Sequence, residues 1–108
     1  LPHRARPDFS KSGIRVVASR SHMDEETTNY IASLKDPVLI SSGSSLKFML
    51  LATGKADVYP RFAPTMEWDT AAAHAIVRNT GIQVTDNNTK KELVYNKESL
   101  RNPFFISY

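Results

Sequence analysis

Cysteine is missing from all 108 residues. That excludes a disulfide framework, Cys-ligated zinc, an iron–sulfur cluster and a thiol nucleophile. No apolar run approaches the ~18 residues a membrane-spanning helix needs, and no signal-peptide pattern opens the chain. An excess of one charge sign is also lacking. The 14 Lys and Arg stand against 11 Asp and Glu, for a net charge of +3. The two signs are interleaved, so the weak surplus does not argue for binding a nucleic acid polymer. The expected setting is the cytoplasm, with the periphery of the inner membrane as a second place.

What remains is room for one domain with a single core. A chain of this size buries somewhat over ~60% of its unfolded surface. Residues 1–13 carry two prolines and three basic residues and lack helical or strand periodicity. They read as an exposed lead-in or former linker. The first residue is Leu1 rather than Met, which raises the expectation of a removed upstream segment.

From Ile14 the pattern alternates. Ile14–Ala18 is β-branched and apolar, a buried strand. Asp24 caps a helix with Glu25 and Glu26 in its first turn, and Asp36-Pro37 stops it. Val38–Ile40 is the next strand. Leu46–Thr53 is a helix with Ser44 as its cap and Gly54 as its stop. Ala56–Tyr59 is a third strand. The longest helix runs from about Thr65 to Asn79 and ends at Gly81. Ile82–Val84, Leu93–Tyr95 and Phe104–Ile106 are short strands. The order argues for an α/β fold with a layered, largely parallel sheet flanked by helices.

In such folds ligands sit beyond the carboxyl ends of strands, near helix N-termini. Three junctions stand out. After the first strand comes Ser19-Arg20-Ser21-His22, a polar turn or a ligand-facing loop. After the second comes Ser41-Ser42-Gly43-Ser44-Ser45-Leu46-Lys47. Its free N–H groups suit an anion. Lys47 stands where the helix dipole disfavours a cation, and a bound phosphate would reverse that penalty. An ordinary capped helix with a snorkelling lysine explains the segment equally well. After the third comes Arg61, a phosphate fork or a surface charge. Asp69 opens the alanine-rich helix, where a first-turn acid is common for dipole reasons alone. Its carboxylate would suit a hard cation such as Mg²⁺, but one carboxylate is not a metal site. His74, inside that helix, reads as structural. Ser44, His22 and Asp69 do not make a convincing hydrolase triad, because no Gly-x-Ser-x-Gly elbow supports it.

One resemblance ties these segments together. Gly43-Ser44-Ser45-Leu46-Lys47, Gly54-Lys55-Ala56-Asp57-Val58-Tyr59-Pro60-Arg61 and Pro64-Thr65-Met66-Glu67-Trp68-Asp69-Thr70-Ala71-Ala72 carry most of it. Ser19-Arg20-Ser21-His22, Tyr95-Asn96-Lys97-Glu98 and Leu100-Arg101-Asn102-Pro103 agree. Residues 14–108 thus resemble the C-terminal half of 3'(2'),5'-bisphosphate nucleotidases, the bacterial sulfur-assimilation branch of the inositol monophosphatase superfamily. The resemblance implies a Mg²⁺-dependent, lithium-sensitive phosphatase that converts adenosine 3',5'-bisphosphate to AMP and phosphate. It makes Asp69 a metal ligand near the nucleophilic water. It makes Ser44, Lys47 and Arg61 contacts of the nucleotide and its phosphate, and places His22 near the nucleoside. Ala73 replaces a usual glycine and Met49 a common cysteine, and neither change removes a chemical group.

The larger departure is an absence. The superfamily's other metal ligands come from an N-terminal half, with an acidic Glu-Glu segment and an Asp-Pro-x-Asp-Gly-Thr motif; the resemblance does not reach that half, and Glu25-Glu26 here belongs to the helix that Asp24 caps. The expectation is therefore a C-terminal α/β domain (residues 14–108) of a larger phosphatase, inactive alone. Its partner would be the missing N-terminal domain of the same protein, and self-association through the exposed domain face would follow from that domain's absence. An inositol monophosphatase-type or other sugar phosphatase is the alternative within the superfamily. A non-catalytic anion-binding module is the alternative from another class.

Overall fold

The computed structural model describes residues 4–18, 24–42, 46–62, 65–96 and 99–108. Its strands are β1 (Arg15–Ala18), β2 (Val38–Ser41), β3 (Tyr59–Arg61), β4 (Val84–Asp86) and β5 (Phe105–Ser107). Its helices are α1 (Glu25–Ala32), α2 (Leu46–Ala52) and α3 (Glu67–Val77), the last continued by a 3-10 turn over Arg78–Thr80. The α/β class follows from this order.

The sheet is mixed in its pairing. β1 and β2 pair in parallel, with Val16 opposite Leu39. Val16 also bridges Val58 in parallel, just before β3. The Val17 amide donates to the Val58 carbonyl at 2.9 Å. β5 then lies between β3 and β4 and is antiparallel to both. The strands thus form a parallel pair, β1–β2, joined through the Val16–Val58 bridge to an antiparallel trio, β3–β5–β4, so the sheet is less parallel than expected: β5 runs against the other four strands. Its insertion is a long-range pairing that local periodicity does not encode.

Several boundaries differ from those expected. α1 ends at Ala32 rather than at Asp36-Pro37. There the Ser33 hydroxyl donates to the Tyr30 carbonyl at 2.6 Å and takes up a free helix-end acceptor. The third strand lies at Tyr59–Arg61 and includes Pro60. A proline lacks the N–H that a central strand needs. Past Val58, however, β3 pairs on only one side, with β5. Residues 93–95 form no strand, although Leu93 donates to the Val84 carbonyl at 2.8 Å. The long helix does stop at Gly81, which takes the left-handed conformation (φ 82°) open to glycine at little cost.

The core forms where α2 and α3 cover the sheet. Val17, Phe48, Leu51, Ala52, Tyr59, Val77, Val84 and Phe105 are buried together. Phe105 is wholly buried and packs against Phe48 (ring centroids 5.9 Å apart) and Tyr59 (5.5 Å). A second cluster, Ile14, Val16 and Val58, packs with Phe9, Tyr30 and Tyr108. The segment before β1 is tied to the body: the Arg4 amide donates to the Thr80 carbonyl at 2.6 Å. Two ends of the fold are not covered. Both faces of β2 are open at Val38 and Leu39, and Leu46 and Trp68 are exposed at the starts of α2 and α3. Among the described residues no helix is long and apolar enough to cross a membrane.

One charged pair closes the β1–β3 seam. Arg15 Nε donates to Asp57 Oδ2 (3.1 Å), Arg15 Nη2 to Oδ1 (3.0 Å), and the Arg15 amide to Oδ2 (2.8 Å). Burial alone would raise the Asp57 carboxyl, but the hydrogen bonds and charge of Arg15 outweigh it and hold it below its ordinary 3.8. A carboxylate with a depressed folded pKa adds stability that is fully present above its unfolded value and lost as pH falls through its folded value. Stability should thus decline below about pH 4 in part through Asp57. Asp57→Asn should flatten that decline in urea unfolding between pH 2 and 5. An unchanged pH slope would contradict the assignment. In the core, Phe105→Ala should cost about 3–5 kcal/mol in the same measurement at neutral pH, and a loss under 1 kcal/mol would contradict its central place.

Candidate functional site

Three of the residues singled out in the sequence stand at one edge of the fold. Lys47 is the second residue of α2, Arg61 the last of β3 and Asp69 the third of α3. Strand ends and helix starts meet at such an edge, where α/β folds commonly place their ligands. His22 and Ser44 lie outside the described residues.

Lys47 follows the exposed Leu46 and precedes the buried Phe48, so it turns with the inner face of α2. Only 3% of its surface is exposed. Its Nζ lies over the Tyr59 ring, 5.7 Å from the centroid, in reach of a cation–π attraction. Burial pushes the ammonium below its ordinary pKa of 10.5, and the nearby Arg61 charge pushes it further. Among the described residues the ion pairs are Arg15–Asp57 and His74–Glu92, and neither involves Lys47. The arrangement is thus a desolvated ammonium over an aromatic face, within reach of a second cation's charge. Its burial departs from that of a lysine that snorkels to the surface.

Arg61 is equally unusual. Its Nε is buried and has no hydrogen-bond partner among the described residues. An unmade bond at a buried donor costs about 1–3 kcal/mol, and more when the group is charged. The acid it influences is Asp24, which caps α1 by accepting from the Thr27 amide at 2.8 Å. That backbone bond dominates the lowered Asp24 pKa, and the Arg61 charge is the weakest contribution.

Tyr59 connects the two halves of this edge, and the sequence reading did not assign it a role. The residue is 5% exposed, and its ring packs edge-on against Phe48 (5.1 Å) and Phe105 (5.5 Å). Burial raises its phenol pKa, Arg61 opposes the rise, and Asp69 adds to it. One hydroxyl therefore feels the cation of β3 and the carboxylate of α3 together. Its only signal in the sequence was its place beside Arg61 in Tyr-Pro-Arg.

Asp69 is exposed, and its Oδ2 accepts from the Met66 amide at 2.8 Å. It is thus an N-terminal helix acid engaged with the helix's own first free donor. The second oxygen, Oδ1, has no partner among the described residues. These residues also hold no group of three or more His, Cys, Asp or Glu that could bind a metal. Asp69 supplies one hard oxygen ligand and no more.

Behind Asp69, α3 is anchored by a buried polar network. His74 is 3% exposed; its Nδ1 lies 2.6 Å from the Tyr95 hydroxyl and its Nε2 pairs with Glu92. Both ring nitrogens are engaged, which makes this histidine structural. Burial raises the Tyr95 phenol, while its bond to Thr70 Oγ1 at 3.3 Å acts against the rise. Thr70 in turn accepts from Asn102 Nδ2 at 3.0 Å. The same Nδ2 donates to the Met66 carbonyl at 2.9 Å and lies 3.2 Å from Thr65 Oγ1. Asn102 is 2% exposed, and its Oδ1 is buried with no hydrogen-bond partner among the described residues. On the other side of the helix start, buried Glu67 accepts from the Asn96 amide at 2.7 Å.

Comparison with known proteins agrees with this architecture. The sequence pattern of the Inositol monophosphatase family matches residues 4–103. The 3'(2'),5'-bisphosphate nucleotidase CysQ of Salmonella typhimurium is 50% identical over 90 residues, which is 83% of this chain and 37% of the relative. The protein of that name from Escherichia coli K12 is 48% identical over the same shares. The crystal structure of CysQ from Bacteroides thetaiotaomicron superposes with a TM-score of 0.82 at 53% identity, covering 96% of this chain and 40% of that one. Staphylococcal IMPase-II superposes at 0.75 with 14% identity, covering 99% of this chain and 40% of that one, a likeness of fold alone. The chain therefore spans well under half the length of these relatives. With the match running through almost all of its residues, the chain belongs to the inositol monophosphatase family.

Proposed function

We propose that this chain is the phosphate-holding part of a Mg²⁺-dependent phosphatase that converts adenosine 3',5'-bisphosphate to AMP and phosphate. The observation that carries the reading is Lys47: a buried ammonium beside Arg61, with no acid paired to it among the described residues. Two cations in a desolvated edge repel each other unless an anion joins them. A phosphate group supplies that anion, with oxygens for both. Arg61 Nε, already buried without an acceptor, gains one. High identity to proteins named 3'(2'),5'-bisphosphate nucleotidase supports a nucleotide bearing two phosphates as the substrate.

Asp69 fits a hard divalent cation as one oxygen ligand. When bound, Mg²⁺ would lower the pKa of a water and offset charge on the phosphate oxygens. The chain's own side chains do the rest. Lys47 and Arg61 hold the phosphate and favour the charge that builds on its oxygens. Tyr59 supports Lys47 from below. Ser44 and His22 would complete the contacts to the nucleotide. A single carboxylate cannot complete the metal site, so the remaining ligands belong to another part of the protein. Residues 14–108 are then the C-terminal domain of a larger cytoplasmic enzyme. Its other domain covers the face that leaves Leu46 and Trp68 exposed next to Lys47 and Asp69. The 108-residue chain by itself hydrolyses nothing on this reading.

Steady-state assays of the full-length protein test it. Adenosine 3',5'-bisphosphate should be turned over with a higher kcat/KM than inositol 1-phosphate. Lys47→Met should reduce kcat/KM for the nucleotide about 10- to 100-fold, the equivalent of one charge-assisted hydrogen bond. Faster turnover of inositol 1-phosphate would replace the substrate assignment. An unchanged kcat/KM in the Lys47→Met variant would remove the phosphate role.

A further inference from the structure

Asp69 is exposed, yet its orientation is not left to solvent. The carboxylate is fixed by the Met66 N–H, so its aim depends on the residue that caps α3. Met66 offers no side-chain cap hydrogen bond of its own. Asn102 holds it from outside the helix on both sides: its backbone amide donates to the Thr65 carbonyl, in the same peptide as the Met66 N–H, and its side chain donates to the Met66 carbonyl, in the next.

The contacts form a short chain. Asn102 Nδ2 donates to the Met66 carbonyl (2.9 Å) and to Thr70 Oγ1 (3.0 Å), one turn further on. The Asn102 amide donates to the Thr65 carbonyl at 2.8 Å, and Met66 bridges Arg101 in an antiparallel pair. One side chain thus clamps the residue before the cap, the cap and the fourth residue of α3 to the strand-like segment at 101–102. The Met66 carbonyl can only accept, so the amide must present its NH₂ group there. That orientation leaves Oδ1 buried and unpaired. The NH₂ group is the end of the side chain that the fold uses.

We propose that the Asn102 side chain is a positioning residue for Asp69, acting through Thr70 and through the Met66 carbonyl that also accepts from the Asp69 amide (2.9 Å), and that it sets the affinity of the Asp69 carboxylate for a divalent cation. The inference rests on the reading of Asp69 as a metal ligand. Residues that orient a metal ligand without touching the metal commonly contribute 10- to 100-fold in affinity. Among the described residues neither Lys47 nor Arg61 is hydrogen-bonded to this network, so phosphate affinity should be independent of it.

The test is Mn²⁺ binding by the full-length protein, followed by water proton relaxation, in the wild type, Asn102→Asp and Asn102→Ala. Asp preserves the shape but has no donor for the Met66 carbonyl. Binding of inorganic phosphate, followed by calorimetry, and Tm are measured alongside. Both variants should bind Mn²⁺ about 10- to 100-fold more weakly, with phosphate affinity within about twofold of the wild type. Asn102→Asp binding Mn²⁺ like the wild type would overturn the inference and leave the proposed function standing. A parallel fall of Mn²⁺ affinity, phosphate affinity and Tm would overturn it in favour of a purely structural role. Absence of Mn²⁺ binding by the wild type would overturn the metal reading of Asp69, and this inference with it.

Discussion

A buried positive charge governs the organisation of this protein. The Lys47 ammonium is withdrawn from water, lies over an aromatic face, and feels the charge of the Arg61 guanidinium. Removing a charge from water costs several kcal/mol even after relaxation, and a buried charge is normally repaid by an opposite one. Here the described residues do not supply it. The apolar packing beneath Lys47 must therefore be strong enough to hold a conformation that is unfavourable without an anion.

The fold provides that packing through long-range contacts. β5, from the last residues of the chain, inserts between β3 and β4 and delivers Phe105 under Tyr59 and Phe48. Three rings from β3, α2 and β5 then form one floor. Lys47 rises from α2 over that floor, and Arg61 ends the strand that carries Tyr59. On the far side of α3, the polar network of His74, Tyr95, Thr70 and Asn102 fixes the helix start that bears Asp69. The apolar floor positions the cations, and the polar network positions the acid. Among the described residues no hydrogen bond joins the two supports, which allows anion and metal affinities to vary separately.

The legible parts of the sequence were those encoded locally. The β-branched run Ile14–Ala18, the Asp24 cap and the Gly81 stop each carry a short-range physical signal, and each lies where that signal put it. Lys47 was legible as an anomaly because a cation in a first helix turn opposes the dipole. Asp69 was legible as an acid, but its helix-capping and metal-binding readings share the same pattern. What escaped was non-local. The antiparallel place of β5 depends on pairing across more than forty residues of chain. Tyr59 reads as an ordinary strand aromatic until its neighbours are known. Asn102, in a short polar segment before a proline, has no periodicity to mark it, and its importance lies in one carbonyl thirty-six residues away.

The most direct measurement is the titration of the Lys47 side chain by NMR, with and without inorganic phosphate. Without phosphate the ammonium should titrate below its ordinary 10.5. Phosphate favours the charged form, so it should raise that pKa, and its affinity should fall as pH climbs through the Lys47 titration. A Lys47 that titrates at its ordinary value and does not respond to phosphate would contradict the account of a buried cation built to receive an anion.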